Sequence, residues 1–243
     1  MPTAIAQGAG IDENTGVLEV GPGIGTLTIA LLKHAASVIA IERDPDLPAV
    51  LADTLHPWRE KFALIEKDAL DVTRDDIVAA MVEIGGDTGY PDRASSAANE
   101  TAQWAVSQSE DCLSESGYPV APPQEDLQLS LPSKLVANLP YAVAATVVLD
   151  YFESFPFLDS ATIMVQKEVA DRMVAAVGTK NYGAYTVKLG LYAEPAGRFA
   201  VGPGNFFPPP RVDSAVIRLN RRVPLMADGA PASPEVIAAA ALM

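Results

Sequence analysis

The chain has 243 residues, 49% apolar and 20% charged, enough to bury one sizeable core and too apolar for a disordered polymer. No uninterrupted apolar run reaches the roughly 18 residues of a membrane helix, Met1 to Gly10 carries no basic segment followed by an apolar block, and a lone cysteine (Cys112) with two histidines (His34, His56) excludes a disulfide framework and makes a metal centre unexpected. The class that remains is a cytoplasmic globular protein, and a net charge of −14, taken whole, argues against a nucleic-acid partner.

In chain order, Val17 to Val20 reads as a short buried strand that stops at Gly21, and Thr26 to His34 carries apolar residues at helical spacing. Ser37 to Ile41 is a second strand, closed by Glu42; Asp46 to Leu55 suggests a helix and Phe62 to Glu66 a third strand. Lys134 to Ala137 is a fourth strand, Ala142 to Glu153 a helix, Ala161 to Val165 a fifth strand and Glu168 to Ala176 a helix. Short apolar runs alternating with helical stretches indicate an α/β fold on a parallel sheet. Tyr185 to Tyr192 and Asp213 to Leu219 are β-rich runs joined by a Gly/Pro-rich connection, so the sheet is expected to end in an antiparallel pair.

Two segments stand outside this alternation. Residues 85 to 133 are rich in Ser, Ala, Pro and Gly, and hold 8 acidic residues against 1 basic one, so half of the net charge sits there. An acidic flexible insert is expected, docked locally by Trp104, with a poorly patterned helical subdomain as the alternative. Near the end, Ser233-Pro234-Glu235 has the form of a helix start. The chain stops eight residues after Glu235, and the expectation is a catalytic domain over 1–222 and the first part of a truncated region over 223–243.

Three strand ends carry candidate ligand groups. Gly21-Pro22-Gly23-Ile24-Gly25 follows the first strand and opens a helix, so the backbone can turn tightly and approach a ligand. Thr26 stands where a dinucleotide fingerprint needs its third glycine, and Pro22 removes an amide that could face a phosphate. A nucleoside ligand without a pyrophosphate suits this loop better than a dinucleotide. Glu42, 21 residues after Gly21, can accept both hydroxyls of a ribose, and Asp68 can accept from an adenine amino group.

Asn138-Leu139-Pro140-Tyr141 follows the fourth strand. An Asn side-chain oxygen and a nearby carbonyl can both accept from an exocyclic amine, Pro140 stiffens the turn, and Tyr141 offers a flat face for a base. By itself this is equally a plain turn with a packing tyrosine. After a cofactor-type glycine turn in the same sheet, the base-modifying reading is preferred.

At this point the chain resembles the rRNA adenine N6-dimethyltransferases. Val17 to Thr28 looks like their S-adenosylmethionine loop and Asn138 to Tyr141 like their target-base motif; Met164 to Val169 and Phe206 to Val216 match two further blocks, and the likeness runs from about Ile11 to Arg222. Within the family the blocks look most like the bacterial 16S rRNA enzymes. The resemblance implies a Rossmann-like class I methyltransferase fold with a seven-stranded, mostly parallel sheet, with S-adenosylmethionine as cofactor. It implies a monomer that transfers two methyl groups to N6 of each of two adjacent adenosines near the 3′ end of 16S rRNA, within the 30S subunit or its precursor. Carried over by position, Glu19, Gly21, Gly23, Gly25, Glu42, Asp68, Ala69 and Asn138 serve the cofactor. Asn138, Leu139, Pro140 and Tyr141 serve the target, with Phe206 as a second aromatic wall or, equally, a loop anchor. The family also implies a cofactor-covering segment before residue 1 and a helical domain after residue 243. A non-catalytic assembly factor of the same fold, or a 23S rRNA or DNA adenine methyltransferase, are the alternatives.

Ser160 to Arg222 holds 9 Lys and Arg against 4 Asp and Glu, so Lys167, Arg172, Lys180, Lys188 and Arg211 are the candidate RNA surface. The alternative is an ordinary solvated face.

Overall fold

The computed structural model describes residues 2–85, 131–140, 142–205, 212–226 and 228–241. It holds one seven-stranded sheet in the order β3-β2-β1-β4-β5-β7-β6. The strands are β1 (Gly16–Val20), β2 (Ser37–Glu42), β3 (Phe62–Glu66), β4 (Lys134–Asn138), β5 (Ser160–Gln166), β6 (Ala193–Val201) and β7 (Ser214–Arg221). The first five pair in parallel, and β7 runs antiparallel to both β5 and β6.

Helices cover both faces, as parallel strands joined by helical crossovers require. They are α1 (Pro2–Gly8), α2 (Thr26–Leu32), α3 (Leu47–Leu55), α4 (Arg74–Gly85), α5 (Ala144–Ser154), α6 (Lys167–Met173), α7 (Ala184–Leu189) and α8 (Pro234–Ala241). Alternation along each strand sorts the core into two layers. Val17, Val38, Val136, Met164 and Val216 pack with Ile5 of α1, Leu27 and Leu31 of α2 and Leu51 and Leu55 of α3. Their neighbours Leu18, Ile39, Leu135, Ile163 and Ile217 pack with Ile77 of α4, Val147, Val148 and Tyr151 of α5 and Met173 of α6. Glu19 therefore lies on the α1–α3 face of a strand whose other side chains are apolar.

One element differs from expectation. The run Tyr185 to Tyr192, read as β-rich, begins as α7, and the strand starts only at Ala193. Thr186 and Leu189, three positions apart, are the buried pair of that helix, so a 3.6-residue period fits them and a strand alternation does not. Thr186 Oγ1 accepts from Gly183 N–H at 3.4 Å and donates to the Arg172 carbonyl at 2.7 Å, which fastens α7 to the end of α6. The antiparallel pair is thus β6 with β7. β6 carries Pro195 and Gly197 at a register shift, which an edge strand tolerates because one side has no ladder to interrupt.

Helix α4 has a start signal in the sequence. Thr73 N–H donates to Asp76 Oδ2 at 2.9 Å while Asp76 N–H donates to Thr73 Oγ1 at 3.3 Å, a reciprocal cap. The tail helix α8 follows the expected Ser233 cap, whose Oγ accepts from Val236 N–H at 3.4 Å. Most of the foreseen insert, residues 86–130 with Trp104 and Cys112, lies outside the described residues. Its far boundary comes earlier than expected: Leu131 is buried in the core and Ser133 N–H donates to the Gly16 carbonyl at 3.0 Å. Among the described residues no helix is long and apolar enough to cross a membrane.

Candidate active site

The carboxyl ends of β3, β2, β1 and β4 lie side by side, and each delivers one candidate group. Gly21 follows β1, Glu42 ends β2, Asp68 stands two residues past β3, and Asn138 ends β4. From β1 the chain steps outward through β2 to β3, whereas β4 leads the other way to β5. The β1–β4 boundary is therefore the point where the winding reverses, which is where open α/β sheets bind ligands.

The glycine turn is built from positive φ angles: +69° at Gly21, +58° at Gly23 and +85° at Gly25. A Cβ at Gly21 or Gly23 would meet no atom of the described residues within 4 Å, so among them the space above both is open. A Cβ at Gly25 would stand 3.3 Å from the Leu51 and Leu55 methyls, so this glycine lets α2 sit close to α3. Gly21 N–H donates to the Ile41 carbonyl at 2.9 Å, which holds the turn against β2.

Glu19, two residues before the turn, is 1% exposed, and neither carboxylate oxygen finds a hydrogen bond among the described residues. Burial lifts its carboxyl from 4.5 to about 8, with Thr28 offsetting this only in part. Thr28 Oγ1 is likewise buried without a bonded partner among the described residues. A buried carboxyl left without a partner calls for an incoming donor or cation to satisfy it.

Glu42 is half-buried, and its Oε1 accepts from the backbone N–H of Arg43 and of Asp44, both at 3.0 Å. That grip orients the carboxylate; among the described residues Oε2 has no partner. Asp68 accepts from Leu70 N–H at 3.1 Å and from the Arg43 guanidinium at 3.0 Å, and these two bonds, in that order, lower its carboxyl below the usual range. The Ala69 carbonyl accepts from the Tyr151 hydroxyl at 2.9 Å, which ties this rim to α5. Sequence reasoning missed Arg43 and Tyr151; the adjacency of Arg43 to Glu42 at a strand end was the available signal.

At the end of β4, the Asn138 side chain is exposed and makes no hydrogen bond among the described residues, as is true of the Leu139 carbonyl. Leu139 itself is anchored: its side chain is buried and its N–H donates to the Met164 carbonyl at 3.1 Å. The Pro140 carbonyl is consumed by the N–H groups of Val143 and Ala144, at 3.2 and 3.1 Å, so it starts α5. Tyr141, Phe206 and Arg211 lie outside the described residues.

The candidate RNA cations divide. Lys167 pairs with Asp171 at 3.1 Å, and Arg198 pairs with the same carboxylate. Arg172, Lys180 and Lys188 have no ion pair among the described residues. No group of three or more His, Cys, Asp or Glu that could hold a metal occurs among the described residues.

A doubly covered sheet of this strand order, with a glycine turn and an acid at the next strand end, defines a Rossmann-like class I methyltransferase fold. The profile of the family described as ribosomal RNA adenine dimethylase matches residues 3–231, and the chain belongs to that family. Ribosomal RNA small subunit methyltransferase A of Corynebacterium jeikeium is 36% identical over 220 residues, which cover 89% of this chain and 55% of that protein. The protein of the same name from Listeria welshimeri is 36% identical over 220 residues, covering 90% and 59%. The chain thus spans a little over half the length of these curated relatives. Among solved structures, a dimethyladenosine transferase from Plasmodium falciparum superposes with a TM-score of 0.61 at 23% identity, covering 91% of this chain and 61% of that one. The 23S rRNA methyltransferase ErmE gives 0.60 at 23% identity, covering 91% and 67%. These two likenesses concern the fold.

Proposed function

We propose that this chain is the catalytic part of a cytoplasmic, monomeric S-adenosylmethionine-dependent enzyme that dimethylates N6 of two adjacent adenosines near the 3′ end of 16S rRNA, in the 30S subunit or its precursor. The observation that carries the reading is the row of Asp68, Glu42, Gly21 and Asn138 along four neighbouring strand ends.

S-adenosylmethionine suits the residues present on two counts. Glu19 is a buried carboxyl without a partner among the described residues, which suits a cationic ligand. Gly21 and Gly23 leave open the space that side chains would fill. Glu42 would take the ribose hydroxyls and Asp68 the adenine amine. When bound, this cofactor supplies a methyl group activated by the sulfonium charge.

The chain's own work is to hold the acceptor. Asn138 Oδ1 and the Leu139 carbonyl accept from the N6 amine of the target, which directs its lone pair and stabilises the positive charge that develops on nitrogen. Neither is bonded elsewhere among the described residues, which leaves both for this role, while the bond from Leu139 N–H to Met164 keeps the carbonyl in place. Alignment supplies much of the acceleration, and the N6 proton leaves to water after transfer.

The test is transfer of labelled methyl to undermethylated 30S particles, 23S rRNA and naked DNA side by side. Incorporation into 30S alone is expected. Incorporation only into 23S rRNA or DNA replaces the substrate, and 30S binding without turnover leaves an assembly factor. Asn138→Ala is expected to lower the rate about 100- to 1,000-fold with the fold intact; an unchanged rate removes Asn138 from the mechanism.

A further inference from the structure

Five cations share one candidate surface in the sequence, and four of them, Lys167, Arg172, Lys180 and Lys188, lie among the described residues. Two remain on a common feature: Arg172 at the end of α6 and Lys180 in the loop before α7 flank an open notch of about 470 Å³, with Asn181, Tyr182 and Gly183 completing the loop side. Among the described residues no carboxylate lines it, in a chain of net charge −14. Neither cation has an ion pair among the described residues, whereas Lys167 and Arg198 nearby are both spent on Asp171.

The notch is held in shape. Thr186 Oγ1 binds the Arg172 carbonyl, Tyr182 N–H donates to the Thr179 carbonyl at 3.1 Å, and Thr179 is turned back onto Ala176 through Oγ1 at 2.7 Å. Tyr185, which also lines the notch, donates its hydroxyl to the Ala145 carbonyl at 2.9 Å. Ala145 lies in the first turn of α5, the helix that the Pro140 carbonyl starts, so Tyr185 ties the notch to the element that follows Asn138 and Leu139. Among the described residues no atom stands within 4 Å of where a Cβ on Gly183 would be, and Tyr182 is 37% exposed.

We infer that this notch is a subsite for a nucleotide flanking the target adenosine in single-stranded RNA, its phosphodiester held by Arg172 and Lys180 and its base resting on Tyr182. The inference rests on the reading of the chain as an RNA adenine methyltransferase. The chemistry is that of single-strand recognition generally: paired cations follow the backbone, an exposed ring takes a base face, and a guanidinium suits a phosphate's two oxygens. A volume of this size falls in the range of about 300–1,000 Å³ that small-ligand clefts occupy.

The probe is a fluorescent single-stranded oligonucleotide with the 3′-terminal 16S rRNA sequence around the two adenosines, followed by anisotropy from about 50 to 200 mM salt. Arg172→Gln with Lys180→Gln is expected to flatten the slope of log affinity on log salt by roughly 0.7, the amount for one single-strand phosphate that is no longer neutralised. Tyr182→Ala is expected to weaken binding at least about fivefold at constant slope, and Lys180→Arg to keep the slope. S-adenosylmethionine affinity, measured by calorimetry, reports that each variant is folded. An unchanged slope in the double variant, with cofactor binding intact, overturns the subsite and leaves the parent reading standing. A flattened slope in a chain that transfers no methyl to 30S particles keeps the subsite and overturns the parent reading. Absence of salt-dependent RNA binding by the unmodified chain overturns both.

Discussion

Replacing Glu19 by Gln tests the central buried group. Burial lifts its carboxyl from 4.5 to about 8, so between these values the native chain holds a proton that the unfolded chain has shed. Stability is then fully present below about pH 4.5, falls as pH rises, and levels off above about pH 8. The slope is about 1.4 kcal/mol per pH unit, and across this window the loss is about 5 kcal/mol, comparable with the 5–15 kcal/mol that holds a typical domain folded. Gln keeps the shape of the neutral acid and cannot ionise. Urea unfolding of both chains at pH 5, 6.5 and 8 reads the difference. The two are expected to agree within about 1 kcal/mol at pH 5, and the Gln chain to gain roughly 2 M in midpoint by pH 8 at ordinary m-values. A Gln variant with the wild-type pH slope would refute the reasoning, because Glu19 would then be ionised or bonded in the native chain.

A cation bound beside Glu19 reverses its preference, so S-adenosylmethionine binding at pH 6 is expected to release close to one proton, read by calorimetry in buffers of different ionisation enthalpy; no release in the wild-type chain separates Glu19 from the cofactor. Gly25→Ala places a Cβ 3.3 Å from two leucine methyls at φ +85°, and a cost of about 2 kcal/mol is expected to lower the melting temperature by about 4–8 °C; an unchanged melt would mean that α2 and α3 do not touch there. Tyr151→Phe removes the hydroxyl that donates to the Ala69 carbonyl and is expected to cost about 1–2 kcal/mol, read by chemical denaturation, with a matched loss in cofactor affinity only if Ala69 lines the adenine side.

Much of the fold was legible because parallel α/β sheets write themselves as short apolar runs between helical stretches. β1 through β5 and β7 fell where the runs were, and the tail helix followed from Ser233 and Pro234. The candidate groups were legible for a related reason: glycine turns and strand-end acids are local signals, readable at Gly21, Gly23, Glu42 and Asp68 without knowing what lies opposite. Local signals also misled. The aromatic and β-branched residues of Tyr185 to Tyr192 favour a strand in isolation, yet the burial of Thr186 and Leu189 against α6 makes the first part a helix. β6 was hidden because its Pro195 and Gly197 argue against a strand, and only its place at the sheet edge, with a register shift, admits them.

What the sequence determined by itself was therefore the set of elements with local chemistry: the glycine turn, the acids after β2 and β3, and the amide after β4. Only the tertiary structure decided which groups are partnered. Lys167 reads as an available cation until Asp171 lies beside it, Pro140 as a stiffener of its turn until its carbonyl starts α5, and Glu19 as the one acid of an apolar strand until burial leaves its oxygens without a partner among the described residues. Charge and hydrogen-bond capacity belong to a residue, but whether they are satisfied depends on which neighbours the fold sets beside it, one helical turn away for Lys167 and across two strand ends for Asp68, which meets Arg43.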